Sequence, residues 1–258
     1  MDSPQSIKVL MYHGIVNGKC PLPDDRETGA DLYDLPVAQF ERHMSLLKEN
    51  GFIVRDLSSN SPQQENEIVI TFDDGELNNL KVALPILKKF GYVAYFFIIV
   101  GRVGRKGYMN WEEIKELQQQ GMIVGSHGLS HQILTSLMDT QIDEELRASK
   151  RTIEVNLSTQ IETLSIPRGF CNDSLIHKAY ELGYKTIFIS DRPDDLKSHC
   201  FSRIAIKNRW DVKQLSNALA GKKTWASSAF RSTKKFIKKL LRENAYNKVR
   251  SILIKIFK

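Results

Sequence analysis

The sequence predicts an α/β fold assembled from parallel βαβ units, either a barrel or a doubly wound sheet. Two observations carry this reading. Short apolar runs alternate with amphipathic segments about six or seven times, which is the pattern of strands joined by crossover helices. The chain also has 258 residues, 41% hydrophobic and 26% charged, enough for one large core. Collagen-like, disulfide-scaffold and wholly disordered chains are excluded by the same composition.

Ile7–Tyr12 reads as the first strand, and Val37, Phe40, Met44 and Leu47 recur at helical spacing within Pro36–Asn50, which Gly51 ends. Glu67–Phe72 is a second strand running into an acidic turn. Leu77–Phe90 is a helix stopped by Gly91, and Tyr92–Val100 is a third, fully buried strand. Trp111–Gln120 is a helix before a short strand at Met122–Val124, and a long helix follows over Met138–Leu157. Strand Ile161–Ile166, helix Ser174–Leu182, strand Lys185–Ile189 and a last strand near Arg203–Ile206 complete the body. The expected domain is 1–220, followed by a tail over 221–258.

Charge separates these two regions. Of 37 Lys/Arg and 30 Asp/Glu, 12 and one fall in residues 221–258, leaving 25 against 29 in the body. Residues 230–258 place apolar side chains at three- and four-residue intervals among Lys and Arg, a basic amphipathic helical tail. Its expected partner is an anionic membrane surface; packing on the body is the competing reading, and no nucleic-acid motif is present. Three cysteines without repeating spacing suit a reducing compartment, and the first residues carry no basic segment and long apolar core of a signal peptide. A cytoplasmic location, peripheral at the inner membrane face, is the expectation.

In a parallel sheet the C-terminal strand ends share one rim, where ligands and chemistry collect. His13 ends the first strand, Asp73 and Asp74 the second, His127 follows the strand at 122–124, and Asp191 follows the strand at 185–189. Asp73-Asp74-Gly75 alone reads first as a solvated acidic turn with a helix cap, and second as one carboxylate binding a cation while its neighbour faces a reacting water. His127 and His131, four apart, would share a face on a helical turn and bind one cation. Two imidazoles and one carboxylate leave coordination positions for water, as in hydrolytic rather than structural sites. His43 reads as a surface residue, Trp111 as packing, and Cys171, His177 and His199 as unremarkable.

ITFDDG (Ile70–Gly75), SHGLSH (Ser126–His131) and IPRGF (Ile166–Phe170), in this order, resemble the motifs of polysaccharide deacetylases with a NodB homology domain, carbohydrate esterase family four. The resemblance spans roughly residues 7–206. It implies a distorted, incomplete (β/α) barrel of about seven units. Asp73 would be the general base, and Asp74, His127 and His131 would bind one divalent metal, Zn2+ before Co2+, Ni2+ or Mn2+. Two departures are visible. Gly128 stands where the family has Ser or Thr, and Ser165 stands where it has an Arg steadying the base. Arg168 is the candidate to replace that Arg, its backbone N–H lying where the family has an oxyanion donor, and Asp191 is a candidate to orient it. The late Leu-x-His motif is missing, but Leu10-Met11-Tyr12-His13 places such a His on the first strand. This is the permuted order of a subgroup resembling biofilm poly-N-acetylglucosamine deacetylases, and it implies His13 as the general acid. The implied activity is removal of an N-acetyl group from an amino sugar in a glycan or lipid-linked saccharide. Hydrolysis of another acylamino sugar and a catalytically silent binding relative are the alternatives.

Overall fold

Apolar strands buried on both faces must find partners on both edges, and here they do so by closing into a ring. The computed structural model describes residues 7–57, 64–190, 192, 193 and 195–222. Its elements, in chain order, are β1 (Lys8–Tyr12), β2 (Ile15–Val16), β3 (Leu35–Pro36), α1 (Val37–Glu49), β4 (Ile53–Val54) and β5 (Glu67–Phe72). Then come α2 (Leu84–Phe90), β6 (Tyr95–Ile98), α3 (Trp111–Gln119), β7 (Ile123–Ser126) and α4 (Asp139–Leu157). The last are β8 (Thr163–Ser165), α5 (Asp173–Glu181), β9 (Thr186–Ile189), β10 (Phe201–Ala205) and α6 (Val212–Leu219). The strand order is β1-β10-β9-β8-β7-β6-β5, and β5 pairs back to β1, so seven parallel strands form a closed barrel. β4 adds to the start of β5, and β2 pairs with β3 outside the ring.

Side-chain alternation sorts the core into two compartments. Leu10, Tyr12, Ile70, Phe72, Phe96, Ile98, Leu164 and Ile189 point outward and share one cluster with the buried faces of the helices. The opposite parity, Val9, Val69, Tyr95, Phe97 and Phe188, forms a second cluster made of strand residues, which is the barrel interior. Toward the C-terminal ends the same inward parity changes chemistry. Thr71, Asp73, Ser165 and Arg203 are buried there above the apolar floor.

Several elements differ from expectation for local reasons. The helix predicted over 77–90 is α-helical at 77–78, widens into a π-helical stretch at Asn79–Ala83 and is α-helical again from Leu84. Pro85 offers no N–H and its ring would strike the carbonyl one turn earlier, which a wider turn relieves. The strand predicted over 92–100 pairs only across Tyr95–Ile98. β2, β3 and β4 are two residues long, too short for any periodicity, and α6 was not anticipated. α3 was, and its start is held by a capping box in which Asn110 and Glu113 exchange side-chain-to-backbone bonds at 2.9 and 3.0 Å.

His43 is not on the surface as predicted; it is fully buried on α1. Its Nε2–H donates to the Trp210 carbonyl at 3.0 Å, and Nδ1 faces the Tyr12 hydroxyl at 3.3 Å. Burial lowers its pKa below the ordinary histidine value, against smaller raising effects from the backbone at Trp210 and Asp211. Below pH ~6.5 the unfolded chain therefore takes up a proton that the folded chain refuses, so stability falls as pH drops through that range. Thermal melts from pH 8 to 5 should show a decline in Tm that is shallower in His43→Gln; identical slopes would contradict this.

Among the described residues no helix is long and apolar enough to cross a membrane. The predicted amphipathic tail, beyond residue 222, and Asp191 lie outside the described residues.

Candidate active site

The acidic turn is built by β5 running out of partners. Asp73 N–H still donates to the Tyr12 carbonyl at 3.1 Å, and the chain then turns through Asp74 (φ 77°) and Gly75 (φ 76°). Asp73, 2% exposed, points into the barrel, where Arg203 on β10 meets it in a two-pronged pair with both N···O distances at 2.7 Å. Arg203 Nη2 also donates to the Ser165 hydroxyl at 2.8 Å, and its guanidinium lies over the Phe97 ring. Burial alone would raise the Asp73 pKa; Arg203, with smaller help from His127 and His13, more than reverses this and holds it well below the usual carboxylate range.

This corrects the expectation for Arg168. The guanidinium that steadies Asp73 comes from β10, and Ser165, at the end of β8, is the small residue that admits it. Arg168 instead pairs with Glu27 at 3.7 Å on the same rim. Its backbone is left-handed (φ 60°) between Pro167 and Gly169.

The second half of the site is a loop, not the predicted helical turn. After β7, His127 N–H donates to the Ile98 carbonyl at 2.8 Å, Gly128 adopts φ 76°, and His131 sits at φ 65°. The loop is gathered around buried Glu145 of α4, whose carboxylate accepts from Leu129 N–H at 2.9 Å, Ser130 N–H at 3.0 Å and the Ser130 hydroxyl. Gly128 is needed for its backbone; an added Cβ would also stand 3.3 Å from Pro167. Of the five non-glycine residues with positive φ among those described, Asp74, His131 and Arg168 belong to this site. Such strain persists where surrounding contacts enforce it, and it clusters at functional positions.

Both imidazoles have a defined tautomer. His127 Nδ1–H donates to the Ser165 carbonyl at 2.8 Å, and His131 Nδ1–H donates to the Glu27 carboxylate at 2.6 Å. Each Nε2 lone pair is thereby turned toward Asp74 Oδ1, at 3.5 Å from His127 and 3.7 Å from His131. That oxygen is buried and has no hydrogen-bond partner. One ligand atom from each of Asp74, His127 and His131 lies within 4.8 Å of the others. An orphaned buried carboxylate oxygen facing two imidazole lone pairs is costly without a cation and satisfied by one, so these residues fit a divalent metal. His127 is pushed down to about 4 by burial, partly offset by Asp73, and so stays neutral and able to ligate near neutral pH.

Of the residues predicted from sequence, Asp73, Asp74, His127 and His131 converge. His13, at the end of β1, lies close enough to lower the Asp73 pKa; its ring packs on Tyr33 at 4.7 Å, and its Nδ1 is buried without a partner. Glu27, Glu145, Ser165 and Arg203 were not predicted to act here. Only Arg203 left a signal, as a single charge at an inward position of a strand paired on both edges.

Residues 60–187 match the family model described as polysaccharide deacetylase. That stretch is a domain of the family. The Bacillus subtilis protein YxkH is 30% identical over 191 residues, 71% of this chain and 64% of that protein. The poly-β-1,6-N-acetyl-D-glucosamine N-deacetylase of Staphylococcus aureus is 26% identical over 175 residues, 59% of this chain and 60% of the relative. The chain thus spans less than two thirds of the length of these curated relatives. Among solved structures, the Streptococcus pyogenes deacetylase PplD in complex with acetate superposes with a TM-score of 0.72 at 24% identity, covering 84% of this chain and 99% of PplD. That likeness concerns the fold.

Proposed function

We propose that this chain hydrolyses the N-acetyl amide of an amino sugar within a glycan, with a divalent metal, zinc first, held by Asp74, His127 and His131. The carrying observation is the juxtaposition of two buried carboxylates with different partners. Asp74 faces two imidazole lone pairs, and Asp73 faces Arg203. Neighbouring acids divided in this way suit one ligand and one base. A divalent ion bound there would polarise an acyl oxygen and lower the pKa of a bound water toward ~7.

The chain's own groups do the remainder. Asp73 is ionised at any working pH, and Oδ2 lies 3.7 Å from His127 Nε2, beside the ligand set, where it accepts a proton from the attacking water. Arg203 keeps it oriented and charged at the expense of basicity, so only an acidified water can donate to it. His13, close enough to lower the Asp73 pKa, delivers a proton to the departing amine, and the Arg168 backbone N–H stabilises developing negative charge on the acyl oxygen. The family domain and the naming of the Staphylococcus aureus relative support an N-acetylglucosamine polymer as substrate. Docking of residues 230–258 on an anionic membrane at the cytoplasmic face would favour a lipid-linked saccharide instead.

Acetate release from N-acetylglucosamine oligomers, with and without chelation and Zn2+ return, tests the reading. Chelation should abolish release and Zn2+ restore it; release indifferent to chelator would refute the metal assignment. Removing residues 230–258 should abolish binding to anionic liposomes and spare turnover of soluble oligomers, whereas unchanged binding would refute the membrane role.

A further inference from the structure

Residues 24–27, Asp-Asp-Arg-Glu, lie on the β2–β3 connection, and each finds an opposite charge. Asp24 meets Lys106 at 2.7 Å and Asp25 meets Arg105 at 3.1 Å, both toward solvent. Arg26 bridges Asp34 at 2.6 Å and buried Glu76 at 3.3 Å, just beyond the acidic turn. Glu27 accepts from His131 Nδ1–H and is gripped by Arg102, which also donates to the Tyr108 hydroxyl at 3.0 Å. The two loops approach backbone to backbone, since a Cβ on Gly107 would fall 2.5 Å from Pro23 N.

We infer that Glu27 is a positioning residue for the metal centre. It selects the His131 tautomer and ring orientation that aim Nε2 at Asp74, and the Arg102–Tyr108 grip holds it in place. His131 needs this help more than His127 does. His127 is fixed by a backbone carbonyl of an adjoining barrel strand, whereas His131 lies at the far end of a loop in a left-handed conformation. Carboxylate–histidine–metal arrangements supply this kind of support. The inference rests on the proposed role of His131 as a ligand.

The experiment is Zn2+ affinity of the full-length protein, by competition with a chromophoric chelator, alongside the absorption spectrum of the Co2+ form. Glu27→Ala should weaken Zn2+ binding about 100-fold and alter the Co2+ bands; Glu27→Gln, which still offers an acceptor, should weaken it about 10-fold. Asp24→Asn loosens the same loop without touching His131 and should bind as the wild type does. If Glu27→Ala does not fold, Glu27→Gln decides. Glu27→Gln affinity within about two-fold of wild type, or an equal loss in Asp24→Asn, overturns the inference. Wild type binding no better than His127→Ala would instead remove the metal reading, and this inference with it.

Discussion

Replacing Asp73 by Asn should leave the metal in place and lower kcat by about 10²–10⁴-fold, the range that a positioned base contributes. Metal content and acetate release, measured on one preparation, separate this from ligand loss. His127→Ala should lose both metal and turnover, because it removes a lone pair from the set of Asp74, His127 and His131. An Asp73→Asn protein retaining wild-type kcat would remove the proposed base. The variant should also melt earlier, since Asn leaves the fully buried Arg203 guanidinium without its counter-charge. Turnover is therefore best measured well below the melting range.

Arg203→Met should be the most damaging change to the fold that touches no proposed ligand. Asp73 would keep its burial and lose its strongest stabilising charge. Breaking one side of a buried pair typically costs about 3–5 kcal/mol. In a domain of this size that is a Tm lower by roughly 6–20 °C. The sign of the pH effect follows from the same contact. With Arg203 present the Asp73 carboxylate is ionised throughout the working range. Without it burial raises the pKa, the ionised fraction falls as pH is lowered, and activity should disappear first on the acid side. The double variant Asp73→Asn/Arg203→Met removes both charges and should recover stability lost in either single variant without recovering turnover. A Tm for Arg203→Met within about 2 °C of wild type, with an unchanged acid limb, would show the pair to be dispensable.

Much of the barrel could be read in advance because its signals are local. Strand ends at Tyr12 and Phe72 are marked by apolar runs meeting polar residues, and parallel pairing then obliges those ends to share a rim. The acidic pair and the histidine pair each lie within a few residues of one another, so short motifs expose them. Even there the local reason was wrong for His127 and His131. Their rings meet beside Asp74 not through helical spacing but through a loop that Gly128 and Glu145 bend back on itself.

What escaped prediction is what depends on closure. Asp73 and Arg203 are 130 residues apart, and His131 and Glu27 are 104 apart. Nothing in the neighbourhood of either partner announces the other. Glu27 reads as one charge in a charged run, and Arg203 as the start of a weak strand; which way each points follows from strand register and loop course. Residue type and order were enough to mark the longer strands and the rim they share, because those follow from nearest-neighbour sterics and apolar periodicity, while the roles of the acidic pair and the histidine pair rested on the resemblance of their motifs. Which cation pairs with Asp73 and which carboxylate holds the His131 ring depend on contacts between distant segments that form only in the folded barrel, where desolvation favours each pairing.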